Sequence, residues 1–366
     1  MLRHEAMGKE AAMNSRSSAY CFTVVLAAVA LGLMLLSATN TEAQQRLYVV
    51  TSGGAYGDAQ QRAFFTPFEK ATGIQVVVEK LSPPETFVKL KAMVAAKNVT
   101  WDVCQVESRQ VFRGALEGVY EGIDYSQLDT NDLFKEAQHP NGVAIDFYTN
   151  QLGYRKEAFP NNSQPKTMAE LWDVQRFPQP RVLRNQPYPN LEHAMQAIKG
   201  SAENLYPLDT AAAFKKMDEI RPKVKVWYVS GSQPGQLLVD NELDLALGNG
   251  SRFLDLMRKG APIGVEWIGS VDEDWWVIPK GSARKTLAMK FIAFVSSARV
   301  QADFVGGGWL AGPASRGAFK YIDPTIAKLL PTFPENYARL AKPDYVWWGQ
   351  NEADLEARWT AWLLKK

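Results

Sequence analysis

Apolar and polar positions from Arg46 to Gly118 follow two alternating periods. "RLYVV" (46–50), "IQVVVEKL" (74–81) and "WDVCQV" (101–106) are short apolar runs rich in β-branched residues, which predicts strands. Between them, "DAQQRAFFTPFEKATG" (58–73) and "SPPETFVKLKAMVAAK" (82–97) place apolar residues at helical spacing. Phe87, Leu90, Met93 and Val94 share one face of the second of these helices, and Pro84 suits its first turn. Pro67 inside the first helix predicts a kink or a restart. "SRQVFRGALEG" (108–118) predicts a third helix that stops at Gly118. Strands alternating with helices imply an α/β fold with a mainly parallel sheet covered on both faces. Ligands of such sheets bind beyond the carboxyl ends of the strands. That rule marks the turns "TSGGAYG" (51–57) and "ESRQ" (107–110).

Beyond residue 150 the pattern is less regular. "RFPQPRVLRNQPYPN" (176–190) is rich in Pro, Arg and Asn and predicts a surface connection or a loop lining a cleft. "LEHAMQAIKG" (191–200) and "DTAAAFKKMDEIRPKV" (209–224) predict helices. From Val224 to Ser297, apolar runs are each closed by a Gly or Pro stop. There is no internal repeat after residue 43.

The amino terminus has a different character. Arg16 precedes an apolar run from about Tyr20 to Leu36, and small and polar residues follow, ending in "TEA". This is the order of a secretory signal peptide over residues 1–43, with cleavage after Ala43 and a start at Met13 as an alternative. It predicts an exported, periplasmic protein. Cys104 is then the one cysteine left, within apolar "DVCQV", and is expected to be a buried inert thiol.

Composition narrows the functions. The 366 residues carry a formal net charge of +2 with no basic stripe, which gives nucleic-acid binding no electrostatic support. Three histidines in the whole chain argue against a histidine-rich metal site, so neither metal nor cofactor is expected. No Ser-His-Asp arrangement, P-loop or His-Glu-x-x-His motif is present, and the protein is not expected to be an enzyme. The 11 tryptophans are read mainly as packing, including those of "DYVWWGQ" and "ARWTAWL".

Several stretches in sequence order resemble bacterial extracellular solute-binding proteins. "SGGAYGDAQQRAFFTPFEKATGIQV" is similar to their first strand-turn-helix-strand, and "TWDVCQVE" to the strand after their second helix. "ELDLALGNGSRFLDLMRKGAPIGVEW", "DEDWWVIPKGSARKTLAMKFIAFV" and "KPDYVWWGQNEADLEARWTAWL" resemble later blocks of the family. The spermidine/putrescine-binding type that serves ABC importers is the group most resembled. The resemblance implies a two-lobed periplasmic binding protein fold, with each lobe a mainly parallel sheet flanked by helices. Residues 44–148 and about 273–318 would form one lobe, and about 149–272 and 319–366 the other. The chain would cross near Asp146–Asn150, Asp272–Trp275 and Ser315–Lys320.

It also implies a function. A monomer would close on a small organic solute, a polyamine or related amine, and deliver it to an inner-membrane ABC permease. An amino-acid-like zwitterion, an opine, a carboxylate or a phosphonate is the alternative ligand, and a ligand-presenting sensor the alternative role. An iron-carrying relative would need adjacent tyrosines, which this chain lacks.

The expected ligand-binding residues follow from these turns and blocks. Ser52, Gly53, Gly54 and Tyr56 form the first turn, where backbone freed of Cβ atoms can approach a ligand. Glu107 and Ser108 follow the third strand, with Ser108 also a plausible helix cap. Asn150 lies at a crossing, and Tyr188 and Glu192 near the Pro-rich loop. Asn249 and Ser251 sit in "GNGS", where Gly248 replaces the family's aromatic platform and should leave a roomier pocket. Asp274 and Trp275 are a carboxylate beside an indole, a suitable receptor for an ammonium group. Asp272–Asp274 would otherwise be a solvated acidic loop. Trp309 completes the set. Arg181 and Arg184 lean the second-lobe loop toward an anion, and the first turn lacks the indole that polyamine binders usually offer.

Overall fold

The computed structural model describes residues 44–365, so the signal-peptide expectation for residues 1–43 lies outside the described residues. Among the described residues no helix is long and apolar enough to cross a membrane. The chain opens β1 (Arg46–Thr51), α1 (Gly54–Gln60, continued by Gln61–Phe65 and Thr66–Thr72), β2 (Gln75–Lys80), α2 (Pro83–Ala95), β3 (Val103–Glu107) and α3 (Ser108–Leu116). β2, β1 and β3 pair in parallel, as the alternating periods predict. Pro67 does not break α1. The helix widens into one π turn over Gln61–Phe65 just ahead of it and then continues to Gly73, whose φ is 74°. The wide turn absorbs the missing donor, while Phe64, Phe65 and Phe68 stay buried. Each such ring stabilises the fold by about 1.5–3 kcal/mol, enough to hold an imperfect helix together.

The chain continues through β4 (Gln138–His139), β5 (Gly142–Arg155), α4 (Met168–Trp172), β6 (Arg181–Arg184), α5 (Pro187–Lys199), α6 (Thr210–Ile220), β7 (Val224–Tyr228), α7 (Gln233–Val239), β8 (Leu245–Asn249), α8 (Gly250–Arg258) and β9 (Ile263–Val277). It ends with α9 (Lys285–Val295), α10 (Ala298–Gly306), β10 (Gly312–Pro313), α11 (Pro324–Ala327), α12 (Pro334–Tyr337) and α13 (Tyr345–Leu364). All ten strands belong to one sheet, ordered β2-β1-β3-β9-β5-β8-β6-β7, with β4 and β10 added to β5. The sheet is parallel at both ends (β2-β1-β3 and β8-β6-β7) and antiparallel at its centre, where β9 joins β3 and β5 and where β5 joins β8. The mainly parallel expectation for each lobe holds within each half of the sheet, and the antiparallel pairs gather where the halves meet. The reason is that β5 and β9, with 14 and 15 residues, carry the chain out of one half and back again.

Along β5 and β9 the interior changes character. One hydrophobic cluster gathers β1, β3, residues 143–147 and 275–278, and α9 to α10. A second gathers Leu152, Tyr154, α5, α6 and the tryptophans Trp348, Trp359 and Trp362 of α13, which are packed as expected. Between them the crossing strands carry buried polar residues, including Asp146, Thr149, Asn150, Ser270, Asp272 and Glu273. A third connection also passes here, but not at Ser315–Lys320. Ile322, Ala327, Leu330 and Leu340 still pack in the first cluster, and Ala341 is the first residue in the second. Ala341 is held by backbone hydrogen bonds to Gly269 and Val271 of β9. Cys104 is buried in the first cluster as a free thiol.

Candidate functional site

A cleft of about 490 Å³ lies at the carboxyl ends of β1, β3, β6, β7 and β8. The β1–α1 turn contributes Ser52, Gly53 and Tyr56, and the opposite side contributes Arg184, Tyr228, Asn249 and Arg252. Two of the glycines in the first turn are needed sterically. Gly54 has φ of +66°, and a Cβ on Gly57 would lie 2.4 Å from the Ser52 carbonyl oxygen. Gly53, the one that lines the cleft, has φ of −86° and ordinary room for a side chain.

The sheet register sets the electrostatics. Glu107 of β3 stands opposite Asp274 of β9, which stands opposite Asp146 of β5. Residues directly opposite share a face, so three carboxyls form one row, an arrangement that is unfavourable unless the charges are compensated. Glu107 is compensated: Arg109 lies 2.9 Å and Arg184 3.3 Å from its oxygens. Burial alone would raise its pKa, but the two guanidiniums outweigh this and hold it below the usual range. Asp146 is fully buried, and neither oxygen has a hydrogen-bond partner among the described residues. Burial and then the charge of Asp274 push its pKa well up, which makes it the neutral member of the row. Asp274, which lines the cleft, has no ion-pair partner among the described residues. Burial pushes it up to about 7, with the nearby Gln105 amide opposing the shift and the charges of Glu107 and Asp272 adding to it.

The positive side mirrors this. Arg184, at the end of β6, is committed to Glu107. Arg252, in the first turn of α8, has no ion pair among the described residues, and its guanidinium lies 5.8 Å from the Trp309 ring centroid. Burial lowers its pKa and the charge of Asp274 raises it. Tyr56 and Trp309 meet edge-on at 5.1 Å, and both keep their polar tips buried without a partner. With Tyr148 and Tyr228 they give the cleft aromatic walls. Among the described residues the cleft offers a cation and a carboxyl that form no ion pair, together with aromatic surface, which is chemistry for recognising charge.

Of the residues expected from sequence, Ser52, Gly53, Tyr56, Glu107, Asn150, Asn249, Asp274 and Trp309 line this cleft. Six others do not. Gly54 serves the turn. Ser108 is not the helix cap: Glu107 occupies that position, and its backbone N–H donates to Gln110 Oε1 at 2.9 Å. The Ser108 hydroxyl instead lies within hydrogen-bond distance of the carboxyls of Asp272 (2.8 Å) and Glu273 (2.7 Å), to one of which its single proton is donated, and receives the Trp275 indole N–H (3.0 Å). Trp275 thereby belongs to the opposite face of β9, because successive strand residues alternate. Tyr188 is fully buried and donates to Asp272 at 2.6 Å. Glu192 receives the Trp348 indole N–H at 3.1 Å inside the second cluster. Ser251 is buried in α8 with an unpartnered hydroxyl.

Three further expectations change. Asp272–Asp274 is not a solvated loop but the middle of β9, and Asp272 is a buried anchor that also accepts from Tyr148 and Tyr345, both at 3.0 Å. Gly248 leaves no extra room, since a Cβ there would lie 3.1 Å from Phe253 and 3.2 Å from Pro234. Arg181 is buried and donates to the carbonyls of Leu171 and Phe177. Sequence reasoning missed Gln105, Tyr148, Tyr228 and Arg252. The rule that marked the first turn would have found Arg252, three residues past the end of β8.

Residues 63–329 match the family model described as bacterial extracellular solute-binding protein. The γ-aminobutyric acid-binding protein of Pseudomonas aeruginosa is 32% identical over 341 residues, 91% of this chain and 95% of that protein. A solved GABA receptor is 32% identical with a TM-score of 0.80, covering 88% of this chain and 98% of that one. The binding protein AgtB of A. tumefaciens R10, solved with agropinic acid, is 30% identical with a TM-score of 0.77, covering 88% and 100%. The match spans most of the described chain, both ends of the sheet and the cleft, and the chain belongs to the bacterial extracellular solute-binding proteins.

Proposed function

We propose that the protein is the periplasmic receptor of an ABC importer and captures a small zwitterion, an ω-amino acid of the γ-aminobutyric acid kind. The observation that carries this reading is the uncommitted pair in one cleft. Among the described residues neither Arg252 nor Asp274 forms an ion pair, although they act on each other across the cleft. The ligand carboxylate would meet Arg252, and its ammonium would meet Asp274 between the rings of Tyr56 and Trp309. Each charge-assisted hydrogen bond contributes about 1.5–3 kcal/mol, so the two poles together favour a zwitterion over a ligand with either charge alone. A polyamine would use Asp274 but would bring a second ammonium toward Arg184 and Arg252, which disfavours the spermidine/putrescine reading. Relatives that bind γ-aminobutyric acid and agropinic acid support a ligand bearing a carboxylate.

Delivery would follow from lobe closure. The lobes would be the two halves of the sheet with their hydrophobic clusters, turning about the polar stretch of β5 and β9 and the Gly269–Ala341 contact. Ligand contacts from both halves would shift the open–closed population, and the closed monomer would dock on the permease. A thermal-shift panel of ω-amino acids, opines, monoamines, monocarboxylates and polyamines tests the ligand class. Stabilisation by γ-aminobutyric acid or an opine and none by putrescine is the expected result. Stabilisation by putrescine alone would overturn the proposal.

A further inference from the structure

The face of β9 turned away from the cleft carries a second cavity. It has a volume of about 220 Å³, and its lining includes Phe112, Trp275, Tyr337 and Tyr345 together with Glu136 and Glu273. The rings come from four separate elements. Phe112 and Tyr345 lie 5.5 Å apart, and His139 packs between Phe112 (4.7 Å) and the edge of Trp275 (6.3 Å), bracing both. Glu273 is only 4% exposed, while Glu136 is on the surface. Neither carboxyl has an ion-pair partner among the described residues. Lys342 also lines the cavity, and its ammonium covers the Tyr337 side of it, leaving the Phe112, Trp275 and Tyr345 side to a ligand. That ammonium donates to the carbonyls of Tyr337 (2.6 Å) and Leu340 (2.8 Å) and lies 4.4 Å from the Tyr337 ring centroid.

We infer that this cavity is a second binding site, for a small organic cation such as an alkylammonium compound. Aromatic faces attract a positive charge, and a buried carboxylate supplies the counter-charge. A buried acid without a cation is costly, and an ammonium between these rings would compensate it. Burial and the neighbouring Asp272 push Glu273 up to about 8, and an ammonium bound beside it would draw that value back down. The Lys342 ammonium is already held by two carbonyls and the Tyr337 ring, so an anion would face the two glutamates without a free counter-charge. Glu273 and Asp274 are adjacent in β9 but on opposite faces, so the site is separate from the cleft and does not depend on what the cleft binds.

Isothermal titration with tetramethylammonium chloride at constant ionic strength tests the inference. Saturable binding to the native protein is expected. Glu273→Gln should weaken it by about tenfold or more, as for loss of one charge-assisted contact. Asp274→Asn should leave it within about twofold, as for an independent site. Glu136→Gln, at an exposed position that does not endanger folding, should weaken it by about threefold. Absence of saturable binding overturns the inference. So does binding that is lost in Asp274→Asn but kept in Glu273→Gln, which would place the probe in the cleft. If Glu273→Gln does not fold, Glu136→Gln decides: a loss supports the site and no change overturns it.

Discussion

Asp274→Asn is expected to move stability and binding in opposite directions. The native carboxyl shares a row with Glu107 and Asp146, and burial, with the charges of Glu107 and Asp272, holds its pKa near 7 rather than near 4. An acid whose pKa is raised on folding stabilises the fold while protonated. That stability is present below the ordinary aspartate pKa and is lost as pH rises through about 7. At pH 8 the native side chain is therefore an uncompensated charge in the unliganded protein. A pKa unit corresponds to about 1.4 kcal/mol, and allowing for the partial exposure of the cleft, the amide should stabilise the unliganded fold by about 1–2 kcal/mol, a rise in Tm of a few degrees. Binding should change the other way. A ligand ammonium that meets an amide instead of a carboxylate loses about 2 kcal/mol, the lower end for a desolvated charge pair because Glu107 remains nearby, or about 30-fold in Kd. Differential scanning fluorimetry without ligand and calorimetry with γ-aminobutyric acid, both at pH 8, measure the two quantities. A fall in the unliganded Tm, or an affinity within about threefold of native, would refute the reasoning.

Other outcomes follow from the same cleft. Affinity for a zwitterion should fall as pH drops below the Asp274 pKa of about 7. The loss approaches about tenfold per pH unit, and the slope should vanish in Asp274→Asn; calorimetry between pH 5.5 and pH 8 would show this. Arg252→Met should weaken carboxylate-bearing ligands by about tenfold or more and leave simple amines nearly unchanged, read by competition titration. Gly57→Ala should lower both Tm and affinity, because its Cβ would meet the Ser52 carbonyl at 2.4 Å and displace a backbone that lines the cleft. Glu107→Gln should destabilise the protein by about 1–3 kcal/mol in urea unfolding, since it leaves the half-buried Arg184 without its carboxylate while Arg109 keeps Glu352.

The legible and illegible parts of the sequence differ for physical reasons. β1 to α3 could be read because each turn, strand and helix is set by residues close in the chain, and the parallel pairing of β2-β1-β3 follows from that alternation. The same logic reached Tyr56 and Glu107, whereas Asp274 was reached through the family resemblance. That logic failed where a role depends on a partner far away in sequence. Ser108 and Tyr188 looked like ligand contacts, yet both lie within hydrogen-bond distance of Asp272, 164 and 84 residues away. The carboxyl row appears only once β3, β9 and β5 are in register, so an acidic tripeptide in β9 read as a solvated loop. Gly248 read as an opened pocket because the packing of Phe253 and Pro234 against it is not encoded locally. Pro67 read as a kink or a restart, and the π turn that accommodates it leaves no signature in the pattern of apolar positions.

The most direct test is a structure of the protein with γ-aminobutyric acid bound. The ligand carboxylate should lie within hydrogen-bond distance of the Arg252 guanidinium, and the ammonium should contact Asp274 with Tyr56 and Trp309 beside it. A ligand in the opposite orientation, or one touching neither Arg252 nor Asp274, would contradict the two-pole cleft.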